Sequence, residues 1–155
     1  MRNRPMRSLL MVGVLVIAVP DRPDRNPNDT RPLAEQLQGE WLMVNSVLGG
    51  VSKDFTMGNG AVYTFTRDRL LTRNPKQPAP VSFGITLDTT RTPAFIDFLA
   101  GSAEPKTNYP GIFKIEADTL TLCFTRAVSG ERPAEYASRT DTPNTALYQF
   151  RRLQK

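Results

Sequence analysis

Between residues 109 and 125 the chain reads YPGIFKIEADTLTLCFT, and its apolar positions alternate. Leu120, Leu122 and Phe124 fall on one side, with Thr119, Thr121, Cys123 and Thr125 on the other. That period of two is the pattern of a strand with one apolar and one polar face. Residues 111–116 repeat it less cleanly, and Ala117-Asp118 between the two runs reads as a tight turn. A lone hairpin is marginal in water, so the remaining chain must pair with it and cover it. The same signal recurs along the sequence and predicts further strands over residues 40–48, 61–66, 69–73, 81–87, 94–99 and 145–152. Gly49-Gly50, Gly58-Asn59-Gly60, Arg67-Asp68 and the proline-containing runs at 74–80 and 88–93 punctuate them. Leu33 and Leu37 stand at helical spacing and predict one or two helical turns. Nothing after residue 38 carries an apolar repeat of helix length.

Eight short strands joined in sequence suit an all-β fold, an antiparallel up-and-down barrel. Closure of such a barrel removes the free edges that would otherwise aggregate. A two-sheet β-sandwich is the alternative, because alternation looks the same in both. At 155 residues there is room for one domain with an ordinary core, placed at 33–155.

The first 32 residues read differently. Arg2, Arg4 and Arg7 precede an apolar run from Leu9 to Val19 that only Gly13 interrupts. That run is short for a bilayer span but suits the core of an export signal. Residues 1–20 are therefore read as a signal peptide, or as an uncleaved signal anchor that would be the chain's one membrane attachment. The exported compartment, periplasmic or extracellular, follows. Residues 21–32 hold prolines, charges and no large apolar side chain. Such a stretch cannot bury enough to offset its ordering entropy and reads as a disordered linker.

Charge changes the picture once it is localised. The formal net charge is +5, but six arginines against three aspartates precede Leu33, leaving fourteen basic and twelve acidic residues beyond it. So nearly neutral a domain has no electrostatic footprint for nucleic acid. There is no histidine, which removes the commonest general base and metal ligand. The single cysteine, Cys123, excludes an intramolecular disulfide and a cysteine-cluster zinc site.

Gly39-Glu40-Trp41 opens the first predicted strand and Arg151-Arg152 closes the last. A Gly-x-Trp at the start and an arginine near the end resemble the lipocalin, or calycin, pattern. The resemblance implies a tryptophan that plugs the closed end of a barrel beneath a guanidinium. Alternation puts Arg152 with Tyr148 and Phe150, so Arg152 rather than Arg151 is the expected partner, in a contact worth roughly 0.5–2 kcal/mol. Gly39, Trp41 and Arg152 form this structural signature. Further blocks follow in order: LQGEW at 37–41, PAFIDF at 93–98, GIF at 111–113, DTLTLCF at 118–124 and RPAEYAS at 132–138. Together they resemble a family of small, uncharacterised, exported lipocalin-like proteins of planctomycete bacteria, over residues 37–152. Ala117 stands where that family usually has glycine, Phe113 where it has tyrosine and Tyr136 where it has phenylalanine. The resemblance implies architecture and leaves activity open.

Chemistry is sparse. Cys123 lies on the threonine face and reads as a small buried hydrophobe rather than a reactive thiol. Asp97 interrupts an apolar strand, Asp118 is a turn former, and nothing in the spacing of Asp97, Glu116 and Glu135 brings them together as a hydrolytic pair. Arg132 to Tyr136 lie in the long loop before the last strand, where a stiff loop either touches a ligand or pins itself to the barrel. No catalytic residue, metal site or cofactor is expected, and enzymatic activity is disfavoured. The expected site is the barrel interior, with Phe65, Phe83, Ile96, Phe98, Leu122, Phe124 and Tyr148 around one small apolar molecule, in a monomer. The alternative is a ligand-free structural or interaction module with a filled core. An enclosed cavity of about 300 Å3 or more favours the first.

Overall fold

The computed structural model describes residues 29–154 except Ser129. A short helix, α1 (Leu33–Leu37), precedes nine strands: β1 (Gly39–Leu48), β2 (Val51–Asp54), β3 (Val62–Phe65), β4 (Arg69–Arg73), β5 (Val81–Asp88), β6 (Ala94–Ala100), β7 (Thr107–Glu116), β8 (Thr119–Thr125) and β9 (Thr145–Arg152). Each strand from β3 onward pairs antiparallel with the next, and β9 returns to pair with β1. That last ladder, from Trp41 opposite Arg152 to Leu48 opposite Ala146, closes the sheet into an eight-stranded barrel and excludes the open sandwich. The expected export segment, residues 1–20, and residues 21–28 of the expected linker lie outside the described residues. Residues 29–32 are held locally, the Gln36 side-chain amide donating to the carbonyls of Arg31 at 2.7 Å and Asp29 at 3.4 Å.

Two departures from the alternation are informative. β1 divides one of its edges: Gly39 to Leu42 pair with β3, while Asn45 to Leu48 pair with β2. The register shifts between Met43 and Asn45, the local bend that lets a long strand serve two neighbours. β2 is exposed at all four positions and sits outside the ring as a flap on β1. β7 also begins earlier than its apolar pattern, at Thr107, and passes through Pro110. There the strand pairs with Asp97 of β6, while pairing with β8 starts at Gly111. A proline, lacking its N–H, is tolerated where one neighbour is missing.

The inward positions form the core. Trp41, Phe65, Ile96, Phe113, Leu120, Leu122 and Phe150, with Leu37 of α1, are sealed from solvent. Aromatic rings continue upward from them, with Tyr63 and Phe150 centroids 4.7 Å apart, Phe98 and Phe124 5.2 Å, and Phe124 and Tyr148 5.3 Å. Such pairs contribute about 0.5–1.5 kcal/mol each beyond their area.

The β7–β8 turn holds Ala117 at φ 52°, the left-handed region. An L-residue other than glycine pays about 1–2 kcal/mol there. Ala117→Gly removes that strain and adds chain entropy to the unfolded state, so a net gain of about 0.5–1 kcal/mol is expected. Urea unfolding would show it as a higher midpoint at unchanged slope; an unchanged or lower midpoint would mean the turn is unstrained.

Candidate functional site

The two ends of the barrel are built differently. At the base, Trp41 is fully buried and its indole Nε1–H donates to the Leu37 carbonyl at 2.8 Å, so α1 is tied on as a lid. The Arg152 guanidinium lies over that indole, 4.0 Å from the ring centroid. It donates to the carbonyls of Gln36 at 2.5 Å and Gln38 at 3.2 Å, which satisfies the exposed end of α1. Burial draws the Arg152 pKa below its ordinary value, though a guanidinium stays cationic. Gly39, with φ 110°, lets β1 start directly beneath this group; its α-carbon could carry a side chain only with strain.

The opposite end is not filled. A cavity of about 280 Å3, partly open to solvent, is lined by Tyr63, Leu70, Phe83, Phe98, Tyr109, Phe124 and Arg126. At ~30 Å3 per water it has room for about nine waters. Of the residues expected around a ligand, Phe83, Phe98 and Phe124 line it, and Tyr148 packs edge-on against Phe124. Phe65, Ile96 and Leu122 lie deeper, sealed in the filled part of the core. Tyr63, Leu70, Tyr109 and Arg126 were not in the expected set, although each falls on the inward parity of its strand. Burial pushes the phenols of Tyr63 and Tyr148 up, so both are neutral at ordinary pH.

No protein-family model, curated protein or solved structure matches the chain. The barrel and its mouth must therefore be read from their own geometry.

A second packed region lies outside the barrel. Ile112 and Cys123 are opposed on β7 and β8, point away from the core, and are nevertheless sealed. The connection between β8 and β9 covers them as a strap. Its Arg132 donates to the Gly111 carbonyl at 2.7 Å and reaches the Ile96 carbonyl at 3.4 Å, with its guanidinium 4.1 Å from the centroid of Phe95. Its Nη1 also lies 2.7 Å from Asp97 Oδ1. That oxygen is buried and accepts no well-directed hydrogen bond, so the pair is held by charge while the N–H groups serve the carbonyls. The Cys123 thiol donates to the Ala137 carbonyl at 3.5 Å, and Ser138 to the Thr145 carbonyl at 2.6 Å. Lys114 sits over the Tyr136 ring, whose phenol is pushed up to about 12, first by burial. Burial likewise pushes the Cys123 thiol up, away from the thiolate that reactivity needs.

The remaining carboxylates go to separate partners: Glu116 to Lys114 at 3.2 Å, Glu135 to Arg139, and Asp97 to Arg132. Asp118 takes its place in the β7–β8 turn, where its carbonyl accepts from the Arg152 backbone. They do not converge as an acid–base pair. Among the described residues no three His, Cys, Asp or Glu side chains cluster as a metal site would require.

Proposed function

We propose that the chain is an exported, lipocalin-like binding module whose barrel mouth takes one small apolar, largely aromatic molecule. The observation that carries this reading is the contrast between the two ends: a base sealed by Trp41, and a mouth where an aromatic-lined space of about 280 Å3 is left open. Buried cores are packed to crystal-like density, so a space of this size is an exception to the packing around it. Five aromatic side chains that could have collapsed into it stand around it instead: Tyr63, Phe83, Phe98, Tyr109 and Phe124. The space is partly open and slightly smaller than the enclosed volume of about 300 Å3 that favours a ligand, so the reading rests on the contrast between the ends. Its size suits compact molecules of two or three rings over long acyl chains. Export rests on the basic and apolar pattern of residues 1–20.

The test is a titration with the neutral fluorophore N-phenyl-1-naphthylamine. Saturable, one-to-one enhancement is expected, and Phe83→Trp, which adds bulk at a half-buried lining position, should abolish it while circular dichroism stays unchanged. A linear, non-saturating signal, or one that Phe83→Trp leaves intact, would favour the ligand-free structural module instead.

A further inference from the structure

We infer that the molecule taken at the mouth is an aromatic anion, with its rings among Phe83, Phe98 and Phe124 and its single negative charge on Arg126. This rests on the mouth being a ligand site and names the class of ligand. Arg126 follows β8 directly and continues the inward parity of Leu120, Leu122 and Phe124. Its backbone N–H donates to the Asn144 carbonyl at 2.7 Å, which carries the β8–β9 ladder one rung beyond Thr125 and fixes the direction of the side chain. The guanidinium therefore stands at the rim, and it lines the cavity.

What surrounds it points to an anion. The lining residues are apolar or phenolic apart from Arg126, and none is acidic. Among the described residues the ion pairs involve Arg31, Arg73, Arg91, Lys106, Lys114, Arg132 and Arg139, and Arg126 is in none of them. The arginines of the barrel that lie over aromatic rings, Arg91, Arg132 and Arg152, have acceptors in the protein. The field of Arg126 reaches both neighbouring phenols, drawing Tyr63 and Tyr148 down against the larger upward effect of burial. Tyr63 is thus a neutral phenol on the cavity wall within reach of that field. A cation and a phenol above an aromatic floor can serve a carboxylate or sulfonate, whereas a ligand cation would find ring faces but no carboxylate to pair with. An aromatic ammonium ion would meet like charge at the rim.

The experiment compares N-phenyl-1-naphthylamine with 1-anilinonaphthalene-8-sulfonate, which has the same ring frame plus one sulfonate. In the intact protein at low salt the sulfonate should bind about fivefold tighter, the range for a solvent-exposed charge pair. Its advantage should shrink as sodium chloride is raised, because a rim charge is screened. Arg126→Gln should bring the sulfonate to the affinity that the same variant shows for the neutral probe, while Arg126→Lys keeps part of the preference. Equal affinities in the intact protein, or a preference that survives Arg126→Gln, would overturn the anion assignment while the binding site stands. If the neutral probe itself fails to saturate, the binding reading falls, and this one with it.

Discussion

Replacing Trp41 by alanine should lower the unfolding free energy by about 3–5 kcal/mol, the largest effect expected from any single substitution here. Three losses coincide at this position. The indole is completely buried, so its removal leaves a void that the rigid barrel base cannot close. The Leu37 carbonyl loses the donor at 2.8 Å that fastens α1 to the core. Arg152 loses the ring at 4.0 Å on which its guanidinium lies, although its bonds to Gln36 and Gln38 remain possible. Urea unfolding followed by circular dichroism would measure this directly. A loss below about 1 kcal/mol would mean that the indole does not plug the base.

The second large effect is expected at the strap. Arg132→Ala removes the only cation against Asp97 among the described residues, together with the donors to the Gly111 and Ile96 carbonyls and the stack on Phe95. Breaking a fully buried pair costs about 3–5 kcal/mol; this one keeps some contact with water, so about 2 kcal/mol is the fitting expectation. The cost should fall on the strap rather than the barrel, because Arg132 touches only the outer face of β6 and β7. Local opening would uncover Cys123, which is sealed beneath Ala137. Its reaction with a disulfide reagent should quicken about thirtyfold, the factor equivalent to 2 kcal/mol of opening free energy. Trp41 fluorescence, reporting from the base, should be unchanged. Thiol labelling no faster than in the parent protein would show that the strap is held by other contacts.

Much of the fold was legible because inward and outward positions alternate so regularly. The eight barrel strands were readable from that pattern, and parity alone separated Arg152 from Arg151. β2 was not readable, since Val51-Ser52-Lys53-Asp54 is exposed throughout and has no buried face to pattern. Pro110 disguised the first part of β7 as loop, because the local rule against proline in strands ignores which neighbour is absent. The site was legible only in part for a geometric reason. Alternation tells which side of the sheet a residue faces but not its height along the barrel. Phe65, Ile96 and Leu122 share a face with Phe83, Phe98 and Phe124, yet the register places the first three in the sealed core and the others at the mouth. Arg126 does not show as a mouth residue in the strand pattern because that pattern ends at Thr125, although the next inward step along β8 falls on it.

The most direct measurement is a nuclear magnetic resonance titration of the protein with the neutral naphthylamine probe. Saturating shifts should appear at Tyr63, Leu70, Phe83, Phe98, Tyr109, Phe124 and Arg126, while the Trp41 indole N–H at the base stays where it was. Shifts that never saturate, or that centre on the outer face around Ile112 and Cys123, would contradict a binding mouth above a sealed base.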